Sequence, residues 1–258
     1  MKDNRFQQVR ASGKVPVGHM LSEFASRGTA RILGAAGLDF VLIDTEHGQF
    51  STDTLADLLA WFAATEVAPF VRIPQPDYHF IARTLDAGAL GVMVPNVKDA
   101  ATAQAIVRAA KYPPMGERGV FMGGANTGYQ KVNPAEFMAR ANANTTVIAM
   151  IESGEGVANV EQIAATPGVD MLWVGHFDLT VSLGIAAQFD NPVFLKALQA
   201  VIDAAKRHGL GMGMQPANTA QARQWLEMGL NTISYGGDAA IYGEALAAGA
   251  ASIREITA

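Results

Sequence analysis

Charged and polar residues follow four apolar runs of this chain, at the points where buried strands would end. They are Asp44, Glu46 and His47 after the first run, Arg72 after the second, Glu152 after the third, and His176, Phe177 and Asp178 after the fourth. A charge beside a buried strand is costly unless it is paired or bound to a metal. In a parallel α/β barrel the carboxyl ends of all strands share one face, and that face carries the chemistry. We therefore expect these distant residues to converge on one site.

Glu152 and Asp178 are candidate metal ligands. Two carboxylates at strand ends, in a chain with no cysteine and five histidines, make an oxygen-rich site. Such ligands favour Mg²⁺ or Mn²⁺, completed by water and substrate oxygens. The alternative is that each carboxylate caps the helix that follows it, because acidic residues suit helix starts. Spacing alone leaves both interpretations open.

His47, Asp44 and Arg72 are candidates for moving protons and binding an anion. His47 follows Asp44 by three residues, and an aspartate paired to a histidine orients the ring and raises its basicity. A surface histidine in a loop is the alternative. Arg72 ends a strand, where its charge needs an anion. That anion is either a substrate oxygen or a protein carboxylate such as Asp44 or Glu46.

Eight apolar runs alternate with helical patterns along the whole chain. A glycine precedes several of the runs, as expected where a helix ends and a strand follows. The strands are predicted at about 15–20, 39–44, 69–73, 90–95, 146–151, 170–175, 209–214 and 231–235, and the helices at about 22–36, 51–65, 77–87, 98–111, 154–166, 190–208, 217–228 and 238–257. This order predicts an α/β fold, a (β/α)₈ barrel of one domain over residues 1–258. An open doubly wound sheet is the alternative, but no dinucleotide-binding fingerprint follows a strand.

Two segments suggest contacts beyond a simple barrel. The connection from Lys111 to Asn133 is long and rich in glycine and proline. It comes after the fourth strand, so we place it on the active face as a lid or a subunit contact, with an idle insertion as the alternative. The last helix, 239–257, is rich in alanine, which permits close helix contact. It either packs on its own barrel or is exchanged with a neighbouring subunit.

The composition excludes several classes of function. The 258 residues are 50% hydrophobic and 17% charged, with 19 basic and 24 acidic residues and a net charge of −5. This balance argues against a nucleic-acid or anionic-membrane partner, since both need a basic face. The absence of cysteine excludes disulfides and thiolate chemistry. There is no signal-peptide pattern and no apolar stretch that could span a membrane, so we expect a cytoplasmic protein.

Six motifs, in order along the chain, resemble those of one known family, the HpcH/HpaI aldolase/citrate lyase family of metal-dependent class II pyruvate aldolases. They are Leu42-Ile43-Asp44-Thr45-Glu46-His47-Gly48, Val71-Arg72-Ile73-Pro74, Val94-Pro95-Asn96-Val97, Tyr112-Pro113-Pro114-Met115-Gly116-Glu117-Arg118-Gly119, Met150-Ile151-Glu152-Ser153 and Val174-Gly175-His176-Phe177-Asp178-Leu179-Thr180. The similarity extends from about residue 5 to 255, which makes the set specific.

The resemblance implies a (β/α)₈ barrel that binds a divalent metal through Glu152 and Asp178, most simply Mg²⁺, with Mn²⁺ or Co²⁺ as alternatives. The reaction would be reversible cleavage of a 4-hydroxy-2-oxo acid to pyruvate, or hydroxypyruvate, and an aldehyde. Arg72 would stabilise the enolate. His47, oriented by Asp44, would move protons. The segment containing Gly175, Phe177 and Asp178 would hold the substrate carboxylate by backbone amides. The resemblance also implies a homohexamer.

Three residues depart from the family pattern. His176 and Phe177 stand where the family often has Pro and Ala, and Met150 stands where it often has Gln. The larger side chains are expected to narrow the site and to favour small, polar aldehydes. Two other functions remain as alternatives. One is cleavage of an acyl-CoA ester, as in citrate-lyase-like relatives, and the other is a catalytically silent barrel that binds an oxo acid.

Overall fold

Eight parallel strands close into a barrel in the computed structural model, which describes residues 2–257. The strands are β1 (Val17–Leu21), β2 (Phe40–Asp44), β3 (Ala68–Arg72), β4 (Gly91–Val94), β5 (Thr146–Ile151), β6 (Met171–Val174), β7 (Gly211–Met214) and β8 (Thr232–Gly237). Each strand pairs with the next in the chain, and β8 pairs with β1. The prediction of a (β/α)₈ barrel is confirmed, and the open sheet is excluded.

Helices connect the strands and surround the barrel. They are α1 (Arg5–Ala11), α2 (Arg27–Ala35), α3 (Thr52–Ala63), α4 (Tyr78–Asp86), α5 (Ala100–Ala110), α6 (Pro134–Asn144), α7 (Gly154–Ala158), α8 (Val160–Ala164), α9 (His176–Ser182), α10 (Pro192–Arg207), α11 (Thr219–Met228) and α12 (Asp238–Thr257), with a 3₁₀ helix at Ala125–Thr127. The predicted helix 154–166 is divided at Asn159 into α7 and α8.

Three α-helices, α1, α6 and α9, were not predicted from the sequence. Helix α6 begins with Pro134 at its first position, and the side chain of Asn133 accepts backbone hydrogen bonds there. This is a recognisable start signal. Helices α1 and α9 have seven residues each, too few to show a clear hydrophobic period. A short helix of this kind depends on the contacts that it makes with the rest of the fold.

Helix α1 closes the amino-terminal end of the barrel. Phe6 is fully buried, and its ring lies 5.3 Å from that of Phe40 and 5.1 Å from that of Phe70, both edge-on. Edge-to-face packing of aromatic rings is favourable. Gly18 makes room for this cluster, because a Cβ there would lie 2.4 Å from the ring of Phe40. The closed end forces any ligand to enter from the opposite, carboxyl end.

The long connection does not begin on the active face, where it was predicted, and none of its residues lines the cavity described below. It follows α5 and not β4, and a helix that follows a strand returns the chain to the amino-terminal end of the barrel. Buried Lys111 marks this position, since its Nζ donates to the carbonyl of Thr145, just before β5. Further along, Arg118 pairs with Asp86 at the end of α4. The connection therefore packs against the outside of α4.

Helix α12 is anchored at its first residue and exposed beyond it. The buried carboxylate of Asp238 accepts backbone hydrogen bonds from Ser22, Glu23 and Phe24 after β1. Every residue from 239 to 257 is exposed. The helix thus does not bury a face on its own barrel, which was one of the two arrangements expected from the sequence. Among the described residues, no helix is long and apolar enough to cross a bilayer.

Candidate active site

A cavity of about 640 Å³ opens at the carboxyl ends of the strands. Of the predicted site residues, its wall contains His47, Arg72, Gly175, Phe177 and Asp178. Glu152 lies directly behind this wall, because a Cβ on Gly175 would be 2.4 Å from its Oε2. No residue of the connection 111–133 lines this cavity. The strand ends therefore bring the predicted residues to one place.

Asp44 and Arg72 form a two-point ion pair at the edge of the cavity. Arg72 donates from Nε to Asp44 Oδ1 over 2.9 Å and from Nη2 to Oδ2 over 2.6 Å. Burial lowers the pKa of Arg72, but the hydrogen bond and charge of Asp44, together with the charges of Glu46 and Glu152, outweigh it, so the pKa is raised. The internal ion pair, the alternative left open for Arg72, is present. It also holds the guanidinium plane in a fixed orientation.

His47 lies at the cavity, but Asp44 does not orient its ring. Asp44 Oδ1 accepts the backbone N–H of His47, and also that of Glu46. The ring has a side-chain exposure of 68%, and its Nε2 is 3.9 Å from Glu46 Oε2. The nearby carboxylate is therefore Glu46. An exposed imidazole beside a carboxylate is free to exchange protons with water or a ligand.

Glu46 was expected at this site from the sequence, but with no role beyond that of a possible partner for Arg72. Its Oε2 is buried and accepts no hydrogen bond. Arg72 Nε lies 3.2 Å away but directs its N–H to Asp44. Burial raises the pKa of Glu46, against the opposing charges of Arg72 and His47. A buried oxygen without a donor calls for a cation or a proton.

Glu152 is held by the backbone of Asn96, the second residue after the end of β4. Asn96 adopts a left-handed conformation, with φ of 52°, and donates its N–H to Glu152 Oε1 over 2.6 Å. The glutamate is 9% exposed. Burial raises its pKa to about 7 despite this hydrogen bond, and the charges of Glu46 and Asp178 raise it further. The site thus concentrates negative charge that a cation would neutralise.

The donor set fits a divalent metal with an incomplete protein shell. Asp178 is exposed to the cavity in the first turn of α9, near enough to Glu152 for the two carboxylates to repel each other. Among the described residues, no three His, Asp or Glu side chains are grouped closely enough to hold a metal by themselves. A metal on Glu152 and Asp178 would need water and substrate oxygens as further ligands, which is usual for Mg²⁺.

His176 and Phe177 form an aromatic wall beside these carboxylates. The His176 ring lies 4.8 Å from the ring of Phe177, 5.0 Å from that of Phe189 and 5.6 Å from that of Trp225. Burial lowers the pKa of His176 to about 4, against the opposing charge of Asp178. Phe177 is 58% exposed at the mouth of the cavity. Phe189 and Trp225 were not predicted here, because they come from distant segments.

A closed barrel with a carboxylate-rich cavity at its strand ends belongs to the class of (β/α)₈ enzymes. Comparison with known proteins specifies the family. Residues 20–245 match the sequence model of the family described as HpcH/HpaI aldolase/citrate lyase, and the chain belongs to this family. The predicted resemblance and the assignment as a lyase are thereby confirmed at the level of the family.

Relatives and solved structures agree with this assignment over almost the whole chain. The 5-keto-4-deoxy-D-glucarate aldolase of Shigella sonnei (strain Ss046) is 33% identical over 239 residues, which cover 93% of this chain and 92% of the relative. The crystal structure of an HpcH/HpaI aldolase from Desulfitobacterium hafniense DCB-2 has a TM-score of 0.92 at 34% identity, with 96% of each chain covered. The structure of citrate synthase SbnG has a TM-score of 0.87 at 31% identity, with 98% of each covered.

Proposed function

We propose that this chain is a metal-dependent aldolase. It reversibly cleaves a 4-hydroxy-2-oxo acid to pyruvate, or hydroxypyruvate, and an aldehyde. The observation that carries the proposal is the convergence of Glu152, Asp178 and Arg72 on one cavity at the strand ends. Cleavage of the carbon–carbon bond leaves negative charge on the oxo-acid fragment. A cation site and a fixed guanidinium are the groups that stabilise such a charge.

Glu152 and Asp178 would hold the metal, with Mg²⁺ the first choice and Mn²⁺ or Co²⁺ as alternatives. When bound, the metal supplies positive charge beside the oxygens of the oxo acid and so favours charge development there. The repulsion among Glu46, Glu152 and Asp178 supports this assignment, because a cation relieves it. Asn96 positions Glu152 through its backbone N–H. Gly175 leaves the space that the Glu152 carboxylate occupies.

The other residues bind the oxo acid and move protons. Arg72 keeps N–H donors beyond the two that bind Asp44, and these donate to the oxygen that becomes negative. The amides of Phe177 and Asp178 lie in the first turn of α9, where a helix provides no acceptor, and they bind the substrate carboxylate. His47 transfers the proton at the methyl carbon of pyruvate, directly or through water. Its exposure to the cavity permits both routes.

The acyl-CoA alternative has less support. Arg72 is the only Arg or Lys among the described residues that line the cavity, and it is bound to Asp44. The phosphates of CoA need cations, so this cavity offers them no site. The silent-barrel alternative is separated from the aldolase by activity alone. Similarity to a protein described as a citrate synthase supports carbon–carbon bond chemistry at this site.

Chelation tests the proposed function. The purified protein is treated exhaustively with a chelator, and then Mg²⁺, Mn²⁺ or Co²⁺ is added back in the presence of pyruvate and a panel of aldehydes. We expect no aldol product without metal and recovery on add-back. Full activity after chelation, or trapping of pyruvate on the protein by borohydride, would contradict a metal-dependent mechanism. A binding protein would give no product under any condition.

We also propose that the protein forms a homo-oligomer, a homohexamer, in which α12 packs on a neighbouring subunit. The exposure of residues 239–257 supports this arrangement. Apolar side chains on this helix, such as Leu246, Ile253 and Ile256, are more than half exposed. A row of such residues is costly in water and marks an interaction surface.

A further inference from the structure

Several large apolar side chains line the cavity. Phe177 is 58% exposed and Tyr235 is 45% exposed, and both face the same opening. Phe189 packs edge-on against Phe177 with ring centroids 5.0 Å apart. Ile241, in the first turns of α12, completes this outer wall. We call Phe177, Phe189, Tyr235 and Ile241 the outer wall. Apolar groups gathered around one opening favour an apolar ligand.

The described residues of the cavity lining offer no unpaired Arg or Lys to a ligand. Arg72 is the only Arg or Lys among the described residues of the lining, and it is bound to Asp44. Glu244 of α12 adds a negative charge to the lining, as does Asp178. A carboxylate on the far end of an acceptor would find no free Arg or Lys among these residues, and it would be repelled by Glu244.

We propose that the acceptor aldehyde of this enzyme is uncharged and carries an apolar chain or ring that packs on the outer wall. This inference rests on the proposed aldolase function and names the class of its second substrate. It differs from the expectation of a small, polar aldehyde, which rested on Phe177 narrowing the site and on the polarity of His176. In the structure Phe177 does not fill the cavity, and it extends an apolar surface at its mouth.

A series of straight-chain aldehydes tests the proposal, because its members differ in length but little in the intrinsic reactivity of the carbonyl group. Propanal, butanal, pentanal and hexanal are offered with pyruvate and metal, and kcat/KM is measured for each. We expect a rise of about threefold to fourfold for each added methylene that reaches the outer wall. The carboxylated analogue 4-oxobutanoate, which is close to pentanal in length, should be at least about tenfold poorer than pentanal.

Two variants of Glu244 provide a matched pair. Glu244→Lys places a cation at the outer wall and should raise kcat/KM for 4-oxobutanoate roughly fivefold relative to pentanal. Glu244→Gln removes the repulsion without adding a cation and should give a smaller rise in the same direction. Glu244 is exposed in the single chain, so neither change threatens its fold, and light scattering checks that each variant keeps the mass of the wild-type assembly.

Exchange of the pyruvate methyl protons in D₂O needs no aldehyde and so separates two kinds of failure. If exchange proceeds but 4-oxobutanoate is used as well as pentanal, the inference is overturned and the aldolase function stands. The same holds if exchange proceeds and no aldehyde of the series reacts. If exchange itself is absent with every metal, the proposed function fails and the inference fails with it.

Discussion

Asp44 and Arg72 occupy paired positions on β2 and β3, and their side chains meet in a two-point ion pair at the cavity. Register thus places the pair, since neighbouring residues on adjacent parallel strands lie close together. The pair leaves the guanidinium fixed and charged where the proposed substrate binds. A fixed donor needs no reorganisation when charge develops on the substrate.

Replacing Arg72 by lysine should abolish most turnover although the charge is kept. An ammonium cannot bind Asp44 at two points and also present a planar donor to the substrate. We expect kcat to fall by about 10²–10³, the usual cost of losing one oxyanion donor. Steady-state kinetics at saturating metal measures this, and circular dichroism checks that the barrel is intact. A rate within about tenfold of wild type would contradict the role assigned to Arg72.

Gly175→Ala should weaken metal binding. The added Cβ would lie 2.4 Å from Glu152 Oε2 and 2.7 Å from Met150 Cε, so the carboxylate must move. We expect the metal dissociation constant to rise at least about tenfold, an effect of roughly 1.4 kcal/mol. Isothermal titration with Mn²⁺ measures it. Gly154→Ala is the matched control, because its Cβ would come no closer than 3.6 Å to any side chain. Equal metal affinity in the two variants would show that Glu152 does not bind the metal.

His47→Ala should slow proton exchange at the pyruvate methyl group and leave metal affinity nearly unchanged. The ring faces the cavity and is placed as a proton carrier, not as a ligand. Loss of a general acid or base typically costs about 10²–10⁴ in rate. Deuterium incorporation followed by NMR measures the step without an aldehyde. Unchanged exchange would assign the proton transfer to another group, with His176 the next candidate.

The metal-free protein should lose stability as pH rises, and Glu152 should be the cause. Its folded pKa is about 7, raised from 4.5 chiefly by burial, so ionisation is disfavoured in the folded state. The stabilisation that the protonated Glu152 carboxyl provides is complete below pH 4.5. It is lost as the pH rises through about 7. Glu152→Gln should abolish this loss and be more stable than wild type at pH 8 by about 1–3 kcal/mol.

Urea unfolding of chelator-treated protein between pH 5 and 8 measures this difference. Glu155→Gln, at an exposed glutamate in the next helix, is the control and should behave as wild type. Parallel curves for wild type and Glu152→Gln across this range would show that Glu152 does not titrate there.

Light scattering tests the proposed assembly. The intact chain, of 27.2 kDa, should elute as an oligomer at micromolar concentration, with a hexamer as the expected form. Removal of residues 244–258 should lower the mass because the apolar helix is no longer available to a neighbour. A monomeric intact chain would contradict the proposal. An oligomer of unchanged mass after truncation would place the interface elsewhere, with the connection 111–133 as the next surface to test.

The sequence by itself determined the barrel and the positions of most candidate site residues. Strands such as β2 are buried on both faces, so their apolar runs are continuous and easy to recognise. Topology then places the residues that follow them, including Arg72 and Glu152, at one end of the barrel. Most of the motifs that identified the family lie at these strand ends, because the strand ends carry the chemistry.

Only the tertiary structure decided which groups pair and which face each loop occupies. Asp44 binds Arg72 and not the ring of His47, because strand register sets that distance and residue spacing does not. The buried Oε2 of Glu46, which accepts no hydrogen bond, is visible only in the structure, because no local sequence pattern reports burial. The connection 111–133 follows a helix and so lies away from the cavity. The outer wall joins Phe177 to Phe189 and Tyr235 from other segments, and such proximity arises only when the barrel closes.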